Sequence, residues 1–224
     1  MNDHNLARIS FFTESLSRWS LRKGNLRIFR WRSTSNPYEL LIAELLLRRT
    51  NAPAVKNIFD EFLAMYPTLS HFVNAEPAQL LNLVSRLGLT WRAQNVVEIC
   101  KTLKRRPNKD IPLCFETLIT FPGVGPYVAR ATLLNAEVMR TVPVDTNVVR
   151  VICRYFGFNL SDNLRRNKQF QEFADSLLPC KDVRCFNYGL LDLSAKFCLS
   201  RDPLCRECPL RWGCQYAAKC LDSE

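Results

Sequence analysis

The chain has 224 residues, enough for one domain or two intimate ones with a sizeable core. Hydrophobic residues make up 47% and charged residues 23%, ordinary globular values that exclude a disordered tail, a repeat array or a low-complexity scaffold. Lysine plus arginine number 31 against 21 acidic residues, a formal charge of +10, so polyanions are the natural partners.

Glycine is scarce, and no run alternates apolar and polar residues long enough for several strands. An all-α fold is therefore expected. Apolar periodicity predicts helices over 5–20, 37–50, 52–66, 76–85, 91–104, 114–120, 126–139, 146–157, 167–178 and 186–197. Breaks fall at Ser35-Asn36-Pro37, Ala52-Pro53, Tyr66-Pro67, Leu87-Gly88, Arg106-Pro107-Asn108 and Gly157. The most apolar stretch, Leu40 to Leu47, is interrupted by Glu44 and closed by Arg48-Arg49, far short of the roughly 20 residues of a membrane span. The first apolar patch (Ile9, Phe11, Phe12) is broken by Thr13-Glu14, unlike a secretory signal. These features point to an intracellular, cytoplasmic protein. Its basic residues cluster at Arg18, Arg22, Lys23, Arg27, Arg30 and Arg32, and again at Lys101, Lys104, Arg105, Arg106 and Lys109, as suits phosphate binding.

Phe121-Pro122-Gly123-Val124-Gly125 separates a helix ending at Ile119 from one starting near Pro126, which implies a tight helical hairpin. Glycine permits positive φ and close backbone approach, and the next helix start offers free N–H groups, together a seat for a phosphate. Downstream, Asp145 stands where a helix N-cap would, with its carboxylate placed to accept backbone N–H bonds. Taken alone, that is the position of a structural cap. Glu44 interrupts an apolar helix, so its carboxylate lies either at the edge of a cleft or in an expensive burial.

Ten cysteines in a reducing compartment argue against a disulfide framework. Cys100, Cys114 and Cys153 sit in apolar contexts and are expected as small buried hydrophobes. Cys198, Cys205, Cys208 and Cys214 read C-x6-C-x2-C-x5-C, a set that suits zinc or a [4Fe-4S] cluster, and spacing alone leaves both open. Cys180, Cys185 and Cys220 are assigned no function.

The pair FPGVGPYVA (121–129) and VDTNVVRV (144–151), followed by the four cysteines, resembles the helix-hairpin-helix, endonuclease III-like DNA glycosylases with a C-terminal iron-sulphur cluster. The resemblance runs from Pro37 to Cys214. PYELLIAELLLRRT (37–50), RYFG (154–157) and FNYGLLDLSAKFC (186–198) are most similar to the mismatch-specific thymine-DNA glycosylases, and next to the adenine glycosylases. It implies two helical lobes, 33–139 with the hairpin and 1–32 joined to 140–224, with Tyr127 and Asp145 meeting across a cleft. Strand-cutting members carry at the Tyr127 position a lysine that forms an imine with the sugar; a phenol cannot, and no lysine lies between Lys109 and Lys168. The resemblance thus implies a monofunctional base excision repair glycosylase that uses water and leaves an abasic site.

Within it, Asp145 would stabilise positive charge on the deoxyribose, by about 4 kcal/mol at about 4 Å and an effective dielectric near 20, and would orient or deprotonate the water. Glu44 would face the extruded base. Arg48 and Arg49 would fill the gap, contact the orphaned guanine or grip phosphate, Leu89 would be an apolar wedge, and Gly123, Val124 and Gly125 would meet the DNA backbone. The four cysteines would hold a [4Fe-4S] cluster bracing a basic loop with Arg201, Arg206 and Arg211. The implied substrate is thymine, and uracil, mispaired with guanine in double-stranded DNA, acted on by a monomer. Removal of adenine opposite 8-oxoguanine or guanine is the alternative; against it stand Tyr127, where serine is typical, and a chain that stops soon after the cysteines. A third reading, a non-catalytic iron-sulphur DNA-binding module, is opposed by the retained Asp145.

Overall fold

Asparagine and proline decide where many of the helices begin. The computed structural model describes residues 3–221 and has no strand among them. Its helices are α1 (Asp3–Ser20), α2 (Pro37–Leu47), α3 (Ala52–Met65), α4 (Leu69–Val73), α5 (Pro77–Ser85), α6 (Thr90–Arg105), α7 (Phe115–Leu118), α8 (Pro126–Asn135), α9 (Thr146–Phe156), α10 (Lys168–Ser176), α11 (Val183–Lys196) and α12 (Gln215–Leu221). Proline fills the first turn of α2, α3, α5 and α8, where its missing N–H costs nothing. Asn36, Asn51 and Asn167 cap α2, α3 and α10 by accepting from Tyr38 N, Ala54 N and Phe170 N at 3.0, 2.9 and 2.8 Å. The fold is all-α, as the periodicity predicts.

The chain divides into two compact units, residues 28–139 and residues 1–27 with 140–224. In the first, α2 is buried nearly all round, from Tyr38 and Leu40 through Leu46, and packs against α3, α6 and α8. In the second, α9 packs against α1, α11 and α12 through a knot of rings that joins Phe12 to Tyr155, Phe156 and Phe186. The division falls at residue 28 and not at 33 because Phe29 stacks on Trp31 at 4.6 Å and Trp31 meets Phe59 edge-on at 5.4 Å, which commits this segment to the first core.

Several element ends differ from the sequence expectation. The helix predicted over 37–50 stops at Leu47, where Arg49 turns left-handed with φ 54°, and the one over 126–139 stops at Asn135, just before Glu137 at φ 62°. The segment 114–120 keeps a single helical turn. The short helices α4 and α12 are too brief for periodicity to reveal. Cys100 and Cys153 are buried as expected, and burial pushes the Cys153 thiol up to about 11. Cys114 is exposed instead and its thiol donates to Glu116 at 3.0 Å, because its helix is too short to carry it into the core. Among the described residues no helix is long and apolar enough to cross a membrane.

Asp192 of α11, 3% exposed, accepts from the Arg27 backbone N and Nε at 2.7 Å each. It pins the stretch after α1 against α11. Asp192→Ala is expected to lower unfolding stability by about 1.5–3 kcal/mol, since a charged hydrogen-bond acceptor is lost while the half-exposed guanidinium can turn to water. Urea unfolding of both proteins measures the loss.

Candidate active site

Each unit carries its own set of chemistry-bearing side chains. In residues 28–139 the hairpin comes first. Helix α7 turns through residues 119–125 into α8, closed by Val124 N donating to Phe121 O at 3.0 Å and by the Arg130 guanidinium lying 4.5 Å over the Phe115 ring. Gly123 takes φ 75°, and a Cβ there would stand 2.4 Å from the Asn95 side-chain amide of α6. Both conformation and contact demand glycine. Gly125 is the N-cap of α8 and offers no side-chain acceptor, so the first-turn N–H groups remain available to an anion. Val124 is buried.

Tyr127, the second residue of α8, is half-buried and packs against this unit's core. Glu44 on α2 is 7% exposed. The two arginines that close α2 behave differently. Arg48 stacks 4.5 Å over the Trp91 ring and donates through Nη1 to Gly123 O at 2.8 Å; burial first, then the charge of Arg49, makes it a weaker base than an ordinary arginine. Arg49 is exposed. The pair therefore divides into an inward brace and an outward probe. Leu89 is the half-buried N-cap of α6, following Gly88 at φ 88°.

Three residues here escape a reading of the sequence: Trp91 and Asn95, which meet Arg48 and Gly123, and Arg92, which is 1% exposed. A signal for Arg92 did exist. It continues the apolar stripe of Val96, Ile99 and Leu103 on α6, a place where an arginine is costly.

In the other unit, Asp145 caps α9. Its Oδ1 accepts from Asn147 N and Val148 N at 2.8 Å each, and its Oδ2 accepts from Asn147 Nδ2 at 2.8 Å. The carboxylate thus has a fixed orientation at the positive end of a helix dipole. The chain before it is held by Asp175, whose Oδ1 accepts from Val142 N at 2.7 Å and Thr141 Oγ1 at 3.0 Å. Beyond it, Asn147 Oδ1 accepts from Arg150 Nη1 at 3.1 Å, and Arg150 Nε donates to Cys198 O at 2.8 Å. A polar chain therefore links the cap of α9 to the first of the four spaced cysteines.

Cys198, Cys205, Cys208 and Cys214 line one cavity, beside Arg154 and Tyr216, that borders about 370 Å³ of space free of protein atoms, including some open to solvent. Arg154 Nη1 donates to Cys198 Sγ and Ala217 N to Cys214 Sγ, each at 3.5 Å. Burial pushes the Cys208 thiol up to about 12, and burial raises Cys205 and Cys214 as well. Among the described residues no group of three or more His, Cys, Asp or Glu side chains is gathered to hold a single ion. Four thiols lining one cavity, with N–H donors aimed at two of them, are a donor set whose chemistry suits a thiolate-bound metal group.

Residues 42–176 match the family model of the HhH-GPD superfamily base excision DNA repair protein. A thymine/uracil-DNA glycosylase of Methanothermobacter thermautotrophicus is 34% identical over 217 residues, 96% of this chain and 97% of the relative. A thymine-DNA glycosylase of Aeropyrum pernix is 35% identical over 191 residues, 83% of this chain and 85% of the relative. The solved structure of a thermostable thymine-DNA glycosylase superposes with a TM-score of 0.88 at 33% identity, covering 97% of this chain and all (100%) of that one. The match therefore takes in the glycine hairpin and the Asp145 cap together, and this chain covers 97% and 85% of the two relatives named: it is a DNA glycosylase of the HhH-GPD superfamily of base excision repair proteins.

Proposed function

We propose that the protein hydrolyses the N-glycosidic bond of thymine, and of uracil, mispaired with guanine in double-stranded DNA, acting as a monomer without strand cleavage. The observation that carries this reading is the Asp145 carboxylate, held at a helix start by three N–H donors and so unable to swing away. The full-length likeness to thymine- and thymine/uracil-DNA glycosylases supports the choice of base. Departure of the base leaves positive charge on the deoxyribose. A fixed anion at about 4 Å stabilises that charge by about 4 kcal/mol and orients the incoming water for attack.

Glu44, buried on α2, assists the leaving base by a proton or hydrogen bond to its oxygens. Tyr127 stands at the start of α8 with a phenol where a nucleophilic amine would be needed for an imine, so water is the nucleophile. Gly123, Val124 and Gly125 seat a phosphate on the α8 N-terminus. Arg49 and Leu89 occupy the place of the extruded nucleotide while Arg48 braces the hairpin. Cys198, Cys205, Cys208 and Cys214 would hold a [4Fe-4S] cluster, which supplies a stiff cross-link to a loop carrying Arg201, Arg206 and Arg211; no step at the glycosidic bond requires it.

Asp145→Asn preserves the cap, since asparagine also accepts backbone N–H bonds, but removes the charge. Excision from T/G and U/G duplexes, read as alkali-labile sites beside an A/8-oxoguanine control, is expected to fall about 10³-fold with DNA affinity kept. Normal turnover by that variant would refute the mechanism. Borohydride is expected to trap no covalent DNA complex with the wild type, whereas a trapped complex would overturn the assignment of water as nucleophile. Iron analysis of the purified protein is expected to give about four irons per chain, with loss of colour on Cys208→Ser; one zinc in their place would remove the cluster assignment.

A further inference from the structure

Between the turns that carry Arg49 and Leu89 lies a guanidinium with no carboxylate partner among the described residues. Arg92 Nη1 is 2.7 Å from Leu46 O, 2.8 Å from Arg48 O and 2.7 Å from Thr50 Oγ1, and Nη2 donates to Leu87 O at 2.9 Å. Leu46 lies in the last turn of α2, whose carbonyl end lacks intrahelical donors, and Leu87 lies two residues beyond α5, in the loop that leads into α6. The buried charge is offset by the negative end of the α2 dipole and by the carbonyls of Arg48 and Leu87. For α6 itself the placement is unfavourable, because Arg92 occupies the first turn, at the positive end. Burial, and then the charge of Arg48, lowers its basicity. A leucine or methionine would extend the apolar stripe of α6 without that electrostatic cost. The stability of α6 therefore does not account for an arginine here.

What the guanidinium does is join loops. It takes the Leu46 and Arg48 carbonyls before the left-handed Arg49 and the Thr50 hydroxyl after it, and ties that turn to the one leading into Gly88 and Leu89. Arg48, whose carbonyl Arg92 holds, extends the tie to Gly123 O of the hairpin. We propose that Arg92 is a positioning residue that locks the Arg49 turn, the Leu89 turn and, through Arg48, the hairpin loop into one rigid frame, so that contact with mismatched DNA extrudes the nucleotide and does not deform the loops. This rests on the glycosylase reading above. Loops that yielded would spend contact energy on their own ordering, and it would be lost to unstacking the base.

The test compares two substrates: a T/G pair in a continuous duplex, and the same pair flanked on both sides by mismatches, where stacking is already lost. Arg92→Met removes the lock. Thr50→Val removes one acceptor, leaves Arg92 in place and carries the test if the first variant does not fold, as judged by thermal unfolding. Single-turnover excision from the duplex is expected to fall about tenfold or more with Arg92→Met, and less with Thr50→Val. On the flanked substrate both variants are expected to stay within about threefold of wild type, so the flanked-to-duplex ratio rises. An unchanged ratio, whether both rates fall or neither does, would overturn the positioning role. Failure of the wild type on both substrates would instead overturn the glycosylase reading, and extrusion with it.

Discussion

An α-helix satisfies its own backbone except at its ends, where unpaired N–H groups gather at the start and unpaired carbonyls at the finish. In a protein with no strands among its described residues, those ends are the places where backbone polarity is left for other uses. The chemistry of this chain is built there. Asp145 is bound by the first N–H groups of α9, the hairpin leaves the first N–H groups of α8 uncapped by a side chain, and Arg92 occupies the carbonyl end of α2. A negative group at a start and a positive group at a finish each sit at the favourable end of a dipole, so charges can be partly buried without an opposite side chain.

This also explains which parts of the molecule are readable from residue order. Capping is local: Asp145 two residues before Asn147, Asn36 before Pro37 and Gly123-Val124-Gly125 before Pro126 carry their signals within a few positions. The hairpin and the cap of α9 are thus legible, as are most helices, whose apolar stripes repeat within each segment. Arg92 is not, because its acceptors lie 46, 44, 42 and 5 residues away along the chain. Gly123 likewise advertises a turn, but the Asn95 amide that presses against it comes from α6. Cys114 misled for the converse reason: its apolar neighbours suggest burial, yet the helix they form is a single turn.

The cysteine loop shows a third dependence. Between Cys198 and Cys214 the chain makes only two short 3-10 turns, and Leu210 is its one side chain in the buried core. Such a segment has little apolar area to hold it, so its shape relies on polar ties: Arg154 to Leu199 O and Ser200 O at 2.6 and 3.1 Å, and Arg150 to Cys198 O at 2.8 Å. Arg150 and Arg154 stand one helical turn apart on α9, the helix that Asp145 caps. The loop and the carboxylate therefore share one rigid support.

On the proposed mechanism the Asp145 carboxylate works beside a polyphosphate and faces repulsion from its own substrate. The chain answers this at two ranges. At long range the formal +10 charge lowers the potential cost of bringing an anion and DNA together, though salt screens it beyond about 10 Å. At short range screening does not reach, and there the α9 N-terminus and Asn147, itself held by Arg150, donate directly to both carboxylate oxygens. Those donors are neutral. A cation paired directly with Asp145 would stabilise the ground-state carboxylate and compete with the sugar cation it is meant to stabilise, whereas amide dipoles fix its orientation and leave its net charge for the transition state.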